Sequence, residues 1–469
     1  MTHDDLCFMP ATEMAEAIRH KHVSPIEVMD AIYARIHAVN PQLNAYCTLT
    51  EDAARAAAKD AEATVMRDNE LGRLHGVPVS IKDLLITKGV RTMRGSKIYE
   101  HFIPDEDAPV VEYLKAEGAI VLGKTTTPEF GHKGMTDSLV TGVSRNPWNL
   151  ERTCGGSSGG AGASVAAGMG PLAVGTDGGG SIRIPASFNG IFGIKASFGR
   201  VPAYPPSAVA SLSHTGPMTR TVRDAALMLD VMKGEDDRDL MSLPFDDEDY
   251  VAACDKGVHG LRVAWSANLG YAPVDPEVAR ITERASQVFA SDLGCHVEAA
   301  DPGFANPEHI FQVMWAGALG AYLHPYLAQW EMQMDPQLVA MVKAAEALTA
   351  FDYANAFNQR AQLWDVARKF FDRYDLLLTP TVAVAAFPLG AAPTTVGGQV
   401  VSWSGWTPFS FPFNLTGQPA ATVPCGFTAD GLPVGLQIVG ARFAEATVLA
   451  ASAAFEAARP WADKRPSIQ

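Results

Sequence analysis

Gly155-Gly156-Ser157-Ser158-Gly159-Gly160 and, further along, Gly175-Thr176-Asp177-Gly178-Gly179-Gly180-Ser181-Ile182-Arg183-Ile184-Pro185 are two dense glycine and serine stretches. Flexible linkers share this composition, but linkers join domains, whereas these stretches flank the apolar strand-like run Leu172-Ala173-Val174. They read as tight turns whose backbone N–H groups stay uncovered. Around them the periodicity alternates: Val77-Pro78-Val79-Ser80-Ile81-Lys82-Asp83 reads as a short buried strand, Val110 to Gly118 as a helix, and Ala119 to Gly123 as a strand. Such alternation predicts an α/β sheet. Strand-like runs return at Asp375-Leu376-Leu377-Leu378-Thr379 and Leu436-Gln437-Ile438-Val439, before a closing helix from about Ala444 to Ala457.

Toward the N-terminus, Ser24-Pro25-Ile26-Glu27 predicts a helix start: Ser24 caps, Pro25 suits the first helical position, and Glu27 completes a capping box. That helix is expected to stop at Asn40-Pro41, and a second to run from Glu51 to about Met66. Phe311, Trp315, Tyr322, Tyr326 and Trp330 recur at helical spacing, with Pro325 expected to kink or split the helix and most of the aromatic face expected in the core. The acidic segment from Gly234 to Tyr250 lacks the ligand order of a calcium loop and reads as a solvated connection.

The chain has 469 residues, a length that as a bare prior suggests roughly three domains, although one α/β sheet can span much of it. Hydrophobic residues at 47% and charged ones at 19% exclude the disordered and collagenous classes, despite 41 Gly and 31 Pro. A net charge of −15 argues against a nucleic-acid or anionic-membrane partner, since phosphates demand Lys and Arg. The polar, acidic start MTHDDLCF is unlike a signal peptide, and the most apolar window, Gly162 to Thr176, is too short to span a bilayer. Cys7, Cys47, Cys154, Cys254, Cys295 and Cys425 show no metal spacing, so reduced thiols in a cytoplasmic protein are expected.

Three chemistries compete for the glycine loops. Phosphate binding lacks the GK[ST] ending of a P-loop. Gly155-x-Ser157-x-Gly159 matches a nucleophile elbow, but a turn-like segment precedes it, and His324 is the last histidine, which leaves the C-terminal part without one and makes a Ser-His-Asp arrangement a poor reading. His75, His132 and His214 lie nearer, and each alone is more often packed than catalytic. The third chemistry uses Lys82 as base, because a lysine desolvated in an apolar strand loses its proton readily and can take one from a serine hydroxyl. A structural ion pair with Asp83 is the competing reading. Strand alternation points the two neighbours to opposite faces and tilts the balance toward a base.

Taken together, GGSSGG, GTDGGGSIRIPA with Ser157 and Ser181 24 residues apart, and the upstream VPVSIKD lysine resemble the amidase signature family of Ser-cisSer-Lys hydrolases. The resemblance runs from about Leu74 to Pro202 and resumes at YDLLLTPT and from NLTGQPAATVPCG to GLPVGLQIVG. It implies a large mixed β-sheet covered by helices on both faces, within one domain over 1–469. An N-terminal helical region would occupy 1–70, the catalytic core 71–233 and 372–469, and a variable substrate-side region 234–371. It also implies Ser181 as nucleophile, Ser157 as bridging serine after a cis peptide, and Lys82 as base. Gly178, Gly179 and Gly180 would form the oxyanion hole, with Ser158, Asp177 and Arg183 supporting the loops and no metal or organic cofactor.

The expected reaction is hydrolysis of the C–N bond of a small carboxamide with an apolar or aryl acyl or amine group. Carbamate and urea-type bonds are neighbouring possibilities. The family also contains the glutamine-hydrolysing A subunit of the glutamyl-tRNA amidotransferase, which carries an acidic residue for the glutamine amino group where this chain has Thr407. Trp403, Trp406, Phe409 and Phe411 surround that position, which suits an apolar group or, equally, a core. Thr126 replaces an Asn common in the family's GKTNTPEF strings and implies a locally adjusted loop. The expected partner is a small-molecule amide, with neither nucleic acid nor membrane. A homodimer through the N-terminal helices is compatible with the sequence but not required by it.

Overall fold

The computed structural model describes residues 2–67 and 69–468. In chain order its main sheet contains β1 (Tyr46–Leu49), β2 (Pro78–Lys82), β3 (Ile120–Thr125), β4 (Leu172–Asp177), β5 (Phe192–Lys195) and β6 (His214–Thr219). It continues with β7 (Arg262–Trp265), β8 (His296–Ala299), β9 (Leu376–Pro380), β10 (Ala420–Phe427) and β11 (Pro433–Gly440). These strands lie in the order β1-β3-β2-β4-β6-β5-β10-β11-β9-β7-β8. β2 runs parallel to β3 and β4, and β7 parallel to β8 and β9, while the remaining pairs are antiparallel. The sheet is therefore mixed.

Both faces are buried, as the alternation along β9 shows. Leu376 and Leu378 join the apolar cluster that holds Ile32, Ile36, Val79, Val174, Leu449 and Phe455. Leu377, pointing the other way, joins a second cluster with Phe311, Trp315, Leu363, Phe370 and Phe413. Helices Pro25–Leu43 and Glu445–Ala458 thus cover one face, and Glu308–Trp330 and Ala350–Phe371 the other. Truncating a side chain as enclosed as Leu377, which is fully buried, costs about 2–5 kcal/mol in such cores.

The Ser24 capping box is formed, with Glu27 reaching back to the Ser24 N–H. Its helix nonetheless continues past Pro41 to Leu43, because Pro41 falls in the last turn and Asn44 closes the helix in the left-handed region at φ 52°. Asn40 Oδ1 then accepts the N–H groups of Ala45 and Tyr46, both at 2.8 Å, and steers the chain into β1. Pro325 likewise fails to split its helix, which runs unbroken from Glu308 to Trp330. Pro325 and Ala321, whose carbonyl loses its intrahelical donor, are both exposed, so water can serve that carbonyl. The 234–250 segment is a loop up to the short helix Tyr250–Ala253. Within it Asp236 pairs with Arg238, and Asp246 with Arg200 and Lys233. Among the described residues no helix is long and apolar enough to cross a membrane.

What this fold does for chemistry is to place two loops together. Ile81 of β2 stands opposite Val174 of β4, which brings the ends of these adjacent parallel strands, and the turns after them, to one edge. Clefts beyond the carboxyl ends of parallel strands are where α/β sheets bind ligands.

Candidate active site

Lys82, the last residue of β2, is fully buried. Its Nζ lies 2.8 Å from Ser157 Oγ, 2.9 Å from Ser158 Oγ and 2.8 Å from Thr176 Oγ1. Asp83 turns elsewhere, accepting the Met93 N–H and facing Lys124 Nζ at 3.8 Å, so the local Lys82–Asp83 ion pair is not formed. Burial pulls the Lys82 pKa well below its ordinary value, only partly opposed by the charge of Asp177. Burial therefore favours the uncharged amine over the ammonium.

At Ser158 the direction of the hydrogen bond follows from its neighbours. Ser158 donates its hydroxyl proton to Thr176 O at 3.1 Å, so toward Lys82 it can only accept. A neutral amine has two N–H donors and one lone pair. A neutral Lys82 that donates to Ser158 and Thr176 would keep its lone pair for the O–H of Ser157, whereas the ammonium would donate to all three. Thr176 has no place in the sequence reading; only the observed packing shows that it completes the set around the amine.

The Gly156–Ser157 peptide is cis. A Cβ on Gly156 would stand 2.6 Å from Met135 N, which is why a glycine occupies the position. Ser181 lies on the neighbouring turn, and the two loops are tied by the Ser158 N–H donating to Ser181 O at 3.2 Å. No hydrogen bond joins the Ser157 and Ser181 hydroxyls in this arrangement; Ser181 lines the adjoining cavity.

Asp177 and Arg183 organise the second turn. Arg183 Nε and Nη2 form a fork onto Asp177 at 2.9 and 3.0 Å. Its remaining donors reach Ser410 O, Gln437 Oε1 and Asn414 Oδ1. All five guanidinium N–H groups are thus engaged and the side chain is fully buried, which leaves no donor for an acidic substrate. Burial alone would raise the Asp177 pKa, but Arg183 overrides it and holds the carboxyl well below the usual carboxylate range. Asp177 also accepts Asn414 Nδ2 and the N–H groups of Gly180 and Ile182. Gly180 was expected to lend its N–H to an oxyanion, yet that N–H already donates to Asp177 at 2.6 Å. The N–H groups of Gly178, Gly179 and Ser181 have no partner among the described residues.

A cavity of about 850 Å³ opens on Ser181 and Gly179, walled by Phe311, Trp315, Trp403 and Trp406. A Cβ on Gly178 would come 2.9 Å from Trp315, and one on Gly179 2.7 Å from Phe311, so the glycines and the aromatic wall require each other. Phe409 and Phe411 belong to the core behind it, Phe411 stacking on Phe311 at 4.9 Å. Thr407 lines the cavity, and no Asp or Glu does so among the described residues. Thr126 is buried beside the first loop, where it bonds Ser144 Oγ at 2.6 Å. His75, His132 and His214 are occupied with backbone carbonyls and do not approach the Lys82 cluster's hydroxyls by any hydrogen bond.

A mixed sheet that presents a buried amine, two loop serines and uncovered backbone donors beside an apolar cavity defines a hydrolase of the amidase class. Comparison with known proteins agrees. The Amidase family model matches residues 27–449. An acylamidase of Rhodococcus erythropolis is 42% identical over 100% of this chain and 99% of its own. The glutamyl-tRNA(Gln) amidotransferase A subunit of Moorella thermoacetica is 36% identical, over 99% of each chain. The crystal structure of a bacterial aryl acylamidase of the amidase signature enzymes superposes with a TM-score of 0.90 at 33% identity, covering 97% of both chains. The chain belongs to the amidase signature family, and it is a hydrolase acting on amide C–N bonds.

Proposed function

We propose that the protein is an amidase that cleaves small carboxamides bearing an apolar or aryl group, through an acyl-enzyme on Ser181. The observation that carries this reading is the setting of Lys82: a fully buried amine whose Nζ lies 2.8 Å from Ser157 Oγ and is held there by Ser158 and Thr176. Substrate arrival closes the second link, from Ser157 to Ser181, as catalytic hydrogen bonds commonly tighten only in the complex. Lys82 then takes the Ser157 proton while Ser157 takes that of Ser181, and Ser181 Oγ bonds to the amide carbon. The carbonyl π pair moves to oxygen, where Gly178, Gly179 and Ser181 N–H groups receive it; one such donor is worth about 2.7–4 kcal/mol. As the tetrahedral species collapses, the C–N bond breaks and the proton returns through Ser157 to the departing amine. Water repeats the route and releases the acid.

Aromatic walls and the lack of any lining carboxylate support an apolar or aryl group in the cavity. Glutamine would need an anion for its α-ammonium, and Thr407 supplies none. A cytoplasmic location belongs to the same reading, supported by six free cysteines. The test is a panel of an anilide, an aliphatic amide, a carbamate and glutamine, with a fluorophosphonate probe alongside. The anilide should be turned over fastest and the probe should label wild type but not Ser181→Ala. Preferential turnover of glutamine, or equal labelling of the variant, would overturn the reading.

A further inference from the structure

The molecule has a second cleft, of about 240 Å³, that shares no residue with the Ser181 cavity. It is lined by Phe198, Phe357, Arg360, Trp364 and Arg442, with Leu415, Thr416 and Gly417 at its base. Arg360 projects from helix Ala350–Phe371 and donates through Nε to Leu415 O and through Nη2 to Ser211 O, which leaves Nη1 without a hydrogen-bond partner among the described residues. Arg442 is exposed and lies over Phe443 at 4.3 Å and Trp364 at 6.0 Å. Among the described residues neither guanidinium pairs with a carboxylate, and no Asp or Glu lines the cleft.

The cleft is thus a cationic, carboxylate-free spot on a chain with 52 acidic against 37 basic residues. A half-buried guanidinium without a counter-ion carries a desolvation cost that an anion would offset. Burial lowers the Arg360 pKa, in keeping with that cost. Guanidinium groups match carboxylates through parallel N–H donors, and flat aromatic walls favour a flat apolar body. The space is below the usual range for drug-sized ligands, which sets the occupant near one ring.

We propose that this cleft is a binding site for a small aryl carboxylate, its carboxylate between Arg360 and Arg442 and its ring against Trp364 and Phe198. The base of the cleft belongs to the short helix Pro412–Thr416, which also carries Asn414, the residue that bonds both Asp177 and Arg183. An occupied cleft therefore sits one helical turn from the support of the catalytic loop. Acids of this class are also what an aryl amide would release, a link that rests on the proposed function; the binding itself does not depend on it.

Isothermal titration of the full-length protein with benzoate at low salt tests the site. Arg442 is exposed and outside the reaction cavity, so Arg442→Ala should fold normally and keep its basal amidase activity. Benzoate should bind wild type, with Arg442→Ala weakening it at least about tenfold and Arg442→Lys falling between. Benzyl alcohol, which lacks the charge, and inorganic phosphate, which lacks the ring, should each bind at least about tenfold more weakly than benzoate. No benzoate binding, an unchanged affinity in Arg442→Ala, or equal binding of benzyl alcohol or phosphate would each overturn the proposal. Arg360→Met, checked for folding by its melting curve, should show the same loss of benzoate affinity.

Discussion

Lys82 Nζ stands 2.8 Å from Ser157 Oγ at the end of β2, while the next residue, Asp83, faces Lys124 on the other side of the strand. One step along a strand separates a base from a structural charge. Replacing Lys82 with Met should therefore remove the proton acceptor without touching the Asp83 pairing. Turnover of an anilide is expected to fall by about 10²–10⁴-fold, the usual contribution of general-base catalysis, with an unchanged circular-dichroism spectrum. Activity within a few-fold of wild type would eliminate Lys82 as the base.

The same burial sets a pH dependence. Burial lowers the Lys82 pKa, so the active, uncharged form grows as pH rises, and kcat/KM should climb through the folded-state pKa and then level off. The contribution of Lys82 to stability should move in the same direction. Between the lowered folded value and the ordinary 10.5, the unfolded chain binds the proton that the folded chain has lost, so unfolding becomes harder as pH increases. Lys124, pulled down to about 8 mainly by burial, adds to this trend between about 8 and 10.5. The six buried or partly buried cysteines, whose pKa values burial raises, pull the other way above about pH 9, so the test is the difference: urea midpoints from pH 7 to 10 should rise more, or fall less, in wild type than in Lys82→Met, and parallel profiles would contradict the buried neutral amine.

Local signals are legible in the sequence to a useful degree, long-range partners hardly at all. The Glu51 to Met66 helix is set by nearest-neighbour periodicity and lies where expected, and the strand read over Val77 to Asp83 is observed one residue shorter at each end, as Pro78–Lys82. Pro41 and Pro325 break less than their sequence positions suggest, because a proline's cost depends on whether its orphaned carbonyl reaches water, which is a tertiary fact. Arg183 illustrates the larger gap. Its partners Ser410 and Gln437 are 227 and 254 residues away, and no spacing rule links them to GTDGGGSIRIPA. Gly180 shows the reverse error, since a glycine's open N–H is expected to face the substrate and instead holds Asp177.

Arg183 also supplies a stability prediction. Arg183→Met would strand the fully buried Asp177 carboxylate without its fork, and breaking a buried pair in this way costs about 3–5 kcal/mol. A large drop in the urea midpoint is expected, together with lost turnover, because Asp177 holds the N–H groups of Gly180 and Ile182 on either side of Ser181. Arg183→Lys should recover only part of the midpoint, since an ammonium cannot reproduce the five-donor fork. A midpoint within experimental error of wild type in Arg183→Met would show that the turn stands without this pair.

The cavity wall can be probed where folding is least at risk. Trp403 is 48% exposed and approaches Phe311 at 6.1 Å from the cavity side, so its removal takes away a wall without opening the core. If an aryl group packs there, Trp403→Ala should lower kcat/KM for an anilide or benzamide by about tenfold, the scale of 1–3 kcal/mol seen for apolar pocket contacts. Acetamide, too small to span from Ser181 to that wall, should be hydrolysed at nearly the wild-type rate. The loss should appear chiefly in KM, because Trp403 is not placed near the reacting atoms. An equal decline for both substrates would mean that Trp403 acts on the loop structure and not on the bound group, and an unchanged anilide rate would move the aryl site to the Phe311–Trp315 side of the cavity.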